Sequence, residues 1–189
     1  MNILISAVGG QGALLASRIF GTLAEKMGQD IKLSEVHGMS QRGGSVVTHV
    51  RIGEKIYSPV VEKGTADFII AFEQLEGARY IDWLKKEGTL IVNTQQIDPM
   101  PVVAGAIKYP CDLIEELSKL PIKLYNVDAV ELAKKAGNVK TANITLIGIL
   151  ASITDIPKKI WQEAIRETVP EQFLQVNLKA FELGYEGDN

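Results

Sequence analysis

Asn2-Ile-Leu-Ile-Ser-Ala-Val8, then Gly9-Gly-Gln-Gly12, then Ala13 to Met27 open the chain. The first stretch is a short apolar run rich in branched residues, the pattern of a buried strand. The glycine cluster stops it. In the third stretch Leu15, Ile19, Leu23 and Met27 recur every four residues, and Ala16, Phe20 and Ala24 widen that face. This spacing predicts a helix. Gly28 falls just past its end, where a left-handed residue closes many helices. Strand, glycine turn and helix in that order predict an α/β sheet, and such sheets place ligands at the carboxyl ends of their strands.

The alternation continues along the chain. Residues 31–36 predict a second strand. Ser45 to Ile52 predicts a third, turning through Gly53-Glu54 into a hairpin with Lys55–Tyr57. Asp67 to Phe72 is a continuous apolar run, typical of a strand covered on both faces. Leu75 to Lys86 predicts a helix ended by Gly88, and Thr89 to Thr94 another buried strand. Residues 95–110, with Pro99, Pro101 and Pro110, predict irregular or edge structure. A short helix at Asp112–Lys119 and a last strand at Ile122–Val127 follow. Asp128-Ala-Val-Glu131 has capping-box form and opens a helix through Ala136. Helices are predicted at Asn143–Ile153 and Pro157–Thr168. Thr168-Val-Pro-Glu171 has capping-box form and opens a final helix to about Gly184, leaving Glu186–Asn189 as a frayed tail.

The fold class is therefore α/β: a Rossmann-like, mostly parallel sheet with flanking helices, an antiparallel hairpin and a helical C-terminal part. No repeat or linker divides the chain, so residues 1–189 are predicted to form a single domain. A chain of 189 residues can bury about 70% of its unfolded surface. Apolar residues at 46% and charged residues at 23% are ordinary for a globular protein. The net charge of −3 disfavours a broad nucleic-acid-binding surface.

The single cysteine, Cys111, cannot form an internal disulfide, a four-cysteine zinc site or an iron–sulfur cluster. A reducing cytoplasm is the simple location. The N-terminus lacks the form of a signal peptide. The most apolar stretch, Ile144 to Ile153, is about half a membrane span, so no membrane partner is expected.

Ala7-Val-Gly9-Gly-Gln-Gly12 is the dinucleotide fingerprint with its first glycine replaced by alanine. Gly9 would let backbone approach an anion, and Gly12 would let the helix pack tightly on the strand. Gly10 and Gln11 complete the loop, and the helix N-terminus offers N–H groups and a positive dipole end. Glu35, 23 residues past Gly12, stands where an acidic residue would bind a ribose. The loop is thus a candidate for an anionic ligand, a partner or NAD, beside the simpler reading of a tight packing turn.

His37-Gly-Met-Ser-Gln-Arg-Gly-Gly44 is the second candidate loop. Gly38, Gly43 and Gly44 permit unusual backbone, and successive N–H groups at Gly43-Gly44 could form an anion-binding nest. Arg42 adds a fork suited to phosphate or carboxylate. His37 supplies an imidazole, Ser40 and Gln41 supply neutral hydrogen bonds, and Met39 completes the loop. Glu73, at the end of the fourth predicted strand, could bind a ligand, pair with Arg42 or cap the next helix. His49, amid Val-Val-Thr-His-Val, is a strand residue. With two histidines, one of them on a strand, a Ser-His-Asp hydrolase is not assembled.

Four segments carry a resemblance. They are Gly9-Gly-Gln-Gly12; Glu35-Val-His-Gly-Met-Ser-Gln-Arg-Gly-Gly-Ser-Val46; Ala66-Asp67 with Phe72-Glu73 and the helix after them; and Asn143 to Gly148. In this order they resemble the gamma-type subunit of 2-oxoacid:ferredoxin oxidoreductases, most of all the subunit of that type in the indolepyruvate enzymes. Ala7 departs from the family's usual glycine. The resemblance implies oxidative decarboxylation of a 2-oxoacid with CoA, giving an acyl-CoA and CO2. It implies thiamine diphosphate, Mg and iron–sulfur clusters in a larger partner subunit, and ferredoxin reached through that subunit. The Gly-Asp-Gly…Asn motif that commonly holds the diphosphate is missing, since the one Gly-Asp pair is Gly187-Asp188. This chain is then expected to bind none of these cofactors alone and to act as the docking, non-redox subunit, with a homodimer open. The helices at 143–153 and 171–184 are candidate docking faces. The alternative is a free-standing Rossmann-like protein that binds CoA, a 2-oxoacid or NAD.

Overall fold

The computed structural model describes residues 1–38 and 43–187. Among them, six strands form one sheet: β1 (Asn2–Val8), β2 (Asp30–His37), β3 (Ser45–Gly53), β4 (Ala66–Ala71), β5 (Leu84–Asn93) and β6 (Lys123–Val127). Their spatial order is β2-β3-β1-β4-β5-β6. β1, β4, β5 and β6 run parallel, while β3 lies antiparallel to both β1 and β2.

Strand residues alternate between two cores. Ile3, Ile5, Ala7, Ile70 and Ile91 face one side. There they meet α1 (Ala13–Lys26), α6 (Ala142–Ser152), α7 (Lys158–Thr168) and α8 (Glu171–Glu186), with α5 (Ala129–Ala136) at the margin. Leu4, Ile69, Leu90 and Val92 face the other side, beneath α2 (Gln74–Arg79) and α4 (Leu113–Ser118). Between β5 and α4 a single helical turn, α3 (Met100–Val103), forms in the segment predicted as irregular or edge structure. The helix after β1 and the helix after β4 thus cover opposite faces, so the crossovers diverge between those strands. Such a divergence leaves a crevice outside the carboxyl ends of the two strands.

α6 is buried on every side from Asn143 to Ala151. Its Gly148 meets α8 so closely that a Cβ there would lie 2.3 Å from Phe181 O, and one on Gly184 would lie 2.0 Å from Thr145 O. α6 therefore supplies no docking face, contrary to expectation, because α8 covers it. On the flank, Phe20 of α1 meets Trp161 of α7 edge to face at 5.8 Å.

Four local expectations are corrected. The antiparallel hairpin joins β2 to β3, and no strand forms at Lys55–Tyr57, because β2 and β1 already occupy both edges of β3. That segment is tied down instead by Ile56 N–H, which donates to Asp30 Oδ2 at 2.9 Å. The helix predicted to Lys86 ends at Arg79. A 3-10 turn follows at Ile81–Trp83, and Leu84 enters β5 in the second core. The sheet register then shifts between Ala66 and Phe68, absorbing Lys85 to Gly88. Thr168 does not cap α8, because its hydroxyl donates to Ala164 O within α7, and α8 runs on to Glu186. Asp128 does cap α5, accepting from Glu131 N–H at 2.8 Å. Of the tail, Asp188 and Asn189 lie outside the described residues.

Candidate functional site

The two glycine loops predicted to matter lie against each other. Gly9 N–H donates to Gly44 O at 2.8 Å, and Gly43 N–H donates to Gly9 O at 3.2 Å. Gly43 adopts φ +75°, which favours glycine. Gly9 thus directs both backbone groups to the second loop rather than to an anion, and the Gly43 N–H is likewise engaged. Met39, Ser40, Gln41 and Arg42, and with them any Glu73–Arg42 pair, lie outside the described residues. His37 ends β2 exposed, its Nδ1 3.0 Å from Gly38 O.

Gly12 is required, for a reason other than the predicted one. It opens α1 with φ +89°, and a Cβ there would lie 2.5 Å from Asn143 Nδ2. Its close neighbour is the start of α6, not the strand. Glu35 sits on an edge strand that runs antiparallel, so the parallel second strand of a dinucleotide fold, on which its ribose role rested, is absent. It borders a small pocket of 250 Å³ beside Gly9 and Gly10 and accepts from Thr48 Oγ1 at 3.3 Å.

The crevice required by the topology is present. It encloses 560 Å³ outside β1, β4 and β5, between Gly10-Gln-Gly12, Phe72, Asn93, Gln95 and the Val139–Asn143 turn. Amide side chains build its floor. Gln11 Oε1 accepts from Val8 N–H at 2.8 Å, and Gln11 Nε2 donates to Phe72 O at 2.9 Å and Gln95 Oε1 at 3.2 Å. Asn93, 1% exposed, donates to Phe72 O at 3.0 Å and accepts from Ala129 N–H at 3.1 Å. Asn143 Nδ2 donates to Gly12 O at 3.2 Å. Leu15, Val130 and Leu146 supply apolar wall.

α1 and α6 both start at this crevice, neither with a side-chain cap nor an acidic residue in its first turn. Their positive dipole ends meet there, and exposed Lys140 adds a cation. Lys140 is the one ionisable residue of the lining. The crevice can therefore attract and orient an anion; among the described residues its lining offers the Lys140 amine but no carboxylate, imidazole, hydroxyl or thiol. Asn93, Gln95, Lys140 and Asn143 were missed in the sequence. Asn143 opens one of the four matching segments, which was the available signal. A larger cavity of 750 Å³ opens at the opposite end, among Met1, Asp67 and Lys85. It lies at the amino ends of the parallel strands, where this fold class does not bind ligands.

Glu73 takes the capping alternative. Its carboxylate is 1% exposed, and Oε2 accepts from Glu76 N–H at 2.9 Å, capping α2. Oε1 accepts from Ile97 N–H at 3.2 Å and from the Tyr109 hydroxyl. Burial, and behind it this carboxylate, push the Tyr109 phenol well above its ordinary value. Nearby, burial pushes the Glu76 carboxyl up, against the opposing pull of Ser45 and Arg79. His49 is a buried strand residue whose Nδ1 accepts from Val61 N–H at 3.2 Å, and burial lowers its pKa. Cys111 is exposed, and no cluster of three or more His, Cys, Asp or Glu suited to a metal ion occurs among the described residues. One cysteine in the whole chain does not fit an iron–sulfur cluster. No helix among the described residues is long and apolar enough to cross a membrane.

The family described as pyruvate ferredoxin/flavodoxin oxidoreductase matches residues 2–187. The chain belongs to this family. The indolepyruvate oxidoreductase subunit IorB of Thermococcus kodakarensis is 43% identical over 190 residues, covering 97% of this chain and 93% of the relative. The crystal structure of the keto/oxoacid ferredoxin oxidoreductase gamma subunit from Geobacter sulfurreducens superposes with a TM-score of 0.76 at 27% identity, covering 98% and 96% of the two chains. The 2-oxoglutarate:ferredoxin oxidoreductase from Magnetococcus marinus shares the fold at 18% identity and a TM-score of 0.75, and there the match covers 30% of a longer chain. This pyruvate ferredoxin/flavodoxin oxidoreductase family chain is thus a subunit of a 2-oxoacid:ferredoxin oxidoreductase, with the mixed α/β fold of the gamma subunits.

Proposed function

We propose that the chain is the non-redox subunit of an enzyme that oxidatively decarboxylates an arylpyruvate such as indolepyruvate. The products are an acyl-CoA and CO2, and the two electrons released pass to ferredoxin. Thiamine diphosphate, Mg and the iron–sulfur clusters reside in a larger partner, on which this chain docks, in the cytoplasm. The observation that carries this reading is the make-up of the crevice: amides, helix N-termini and one lysine, with no carboxylate, imidazole, thiol or other redox group among the described residues of its lining. Such a surface binds and orients, and the chemistry must be brought to it. Its positive potential suits the phosphates of CoA or the carboxylate of the 2-oxoacid. The 43% identity to an indolepyruvate oxidoreductase subunit along 97% of the chain supports an arylpyruvate as the substrate class.

The test is anaerobic co-purification of this chain with the larger subunit, followed by assay of the complex and of each chain alone. A brown complex that reduces ferredoxin with indolepyruvate and CoA, and two inactive separated chains, are expected. A colourless chain that binds CoA or a 2-oxoacid tightly without any partner would overturn the subunit reading in favour of a free-standing binding protein.

A further inference from the structure

Between β5 and α4 the chain forms an arm. Its two ends, Ile97 N–H and the Tyr109 hydroxyl, are held by one oxygen, Glu73 Oε1. The tip is closed on itself: Ala106 N–H and Ile107 N–H both donate to Pro101 O, at 2.9 and 3.3 Å, around Gly105 at φ +73°. A compact loop with joined ends and internal bonds is an Ω-type element, ordered without outside help. Its tip is apolar and bare. Met100 is 70% exposed, Val103 65% and Ile107 58%, and no charged residue stands from Pro99 to Ile107.

We infer that this arm is the element that inserts into the larger subunit of the complex. The inference rests on the subunit reading above. Size argues against a second copy of this chain as the occupant. The three side chains offer on the order of 300 Å², an ordinary surface patch. Two arms meeting tip to tip would fall well short of the roughly 800 Å² per side of a stable interface. A tip this small gains burial by entering a surface that surrounds it. Position points to the larger subunit. The arm is anchored one residue after Phe72 and two after Gln95, both lining the crevice, so a partner that takes the tip closes over the crevice. That is where a partner carrying the redox groups has to arrive, because the described lining of the crevice holds none.

The experiment is co-expression of the full chain and its larger subunit under anaerobic conditions, with capture through a tag on this chain. The variants are Val103→Asp with Ile107→Glu, and separately Met100→Glu, against Tyr57→Glu, beyond the far end of β3, as a control. All four side chains are exposed, so melting of the isolated variants should match wild type. The arm variants are expected to capture at least tenfold less of the larger subunit, and the control as much as wild type. Capture by both arm variants at the wild-type level would overturn the arm assignment and leave the subunit reading standing. Failure of the wild-type chain itself to capture the larger subunit would overturn both. Undiminished capture, with the isolated chain falling from dimer to monomer in the variants, would reassign the tip to self-association.

Discussion

Glu73 holds three separate pieces of backbone and side chain with two oxygens, and replacing one oxygen with an amide tests how much depends on it. In Glu73→Gln an NH2 group must face N–H or O–H donors, so at least one buried partner is left unmatched. Hydrogen bonds to charged groups are worth about 1.5–3 kcal/mol, and loss of about 2 kcal/mol is expected. In a chain of this size that lowers the melting midpoint by roughly 4–8 °C. Tyr109→Phe removes one donor and leaves the carboxylate its other bonds, so about 1 kcal/mol is expected. Urea titration of both variants checks the order. His49 gives a pH dependence. Burial depresses its pKa, so its favourable share of stability is present above about pH 6.5 and is lost as pH falls through the folded value. Glu76 acts with opposite sign, its share being present below about pH 4.5 and lost as pH rises through its raised value. Comparing wild type with His49→Asn, which keeps an acceptor for Val61 N–H, isolates the histidine. The variant should lose less stability between pH 7.5 and 5.5, and equal losses would show that His49 does not titrate differently in the fold.

At the scale of elements, the crossing of α6 and α8 reverses a general rule. Glycine to alanine inside a helix ordinarily gains about 1 kcal/mol. Gly148→Ala and Gly184→Ala would instead drive a methyl into the backbone of the facing helix. Overpacking typically costs 1–3 kcal/mol and more where backbone must move, so a loss of about 3 kcal/mol or more is expected for each in chemical denaturation. The strands were legible because apolar runs between glycines admit few other structures, and Ala13–Lys26 was legible from its spacing. The overlong helix after β4 has a physical origin. Leu75, Ala78, Ile81 and Leu84 stand at helical spacing, yet Leu84 gains more by entering the second core from β5. The misplaced hairpin shows a limit of local reading, since a Gly-Glu turn signals a turn but not whether a sheet edge is free to receive the next strand. Thr168 failed as a cap because Ala164 O, one turn back, competes for its hydroxyl.

Across the whole molecule, the two glycine loops were readable as candidates but their relation was not. Gly9 and Gly43-Gly44 satisfy each other, which requires an antiparallel β2–β3 pair that no motif announces. One prediction follows at this scale. With Gly9 engaged and no parallel second strand, NAD should leave the melting midpoint of the isolated chain unchanged, and a clear upward shift would contradict it. The crevice amides escaped notice because Gln11, Asn93, Gln95 and Asn143 are ordinary residues when separate and become a floor only when gathered. The charged composition spoke against a nucleic-acid surface, but the family was carried by the four segments in their order.

That gathering spans nearly the whole polypeptide. Gln11 reaches Gln95 across 84 positions, and Asn143 reaches Gly12 across 131. During synthesis the three strand ends can form long before α6 leaves the ribosome, and until then the crevice has no wall on that side. Long-range closures of this kind come late in folding, because the entropy of a large loop must be overcome first. A molecule that recognises the closed crevice thereby distinguishes a finished chain from a nascent or truncated one, so assembly through this end of the sheet would admit only subunits whose synthesis and folding are complete.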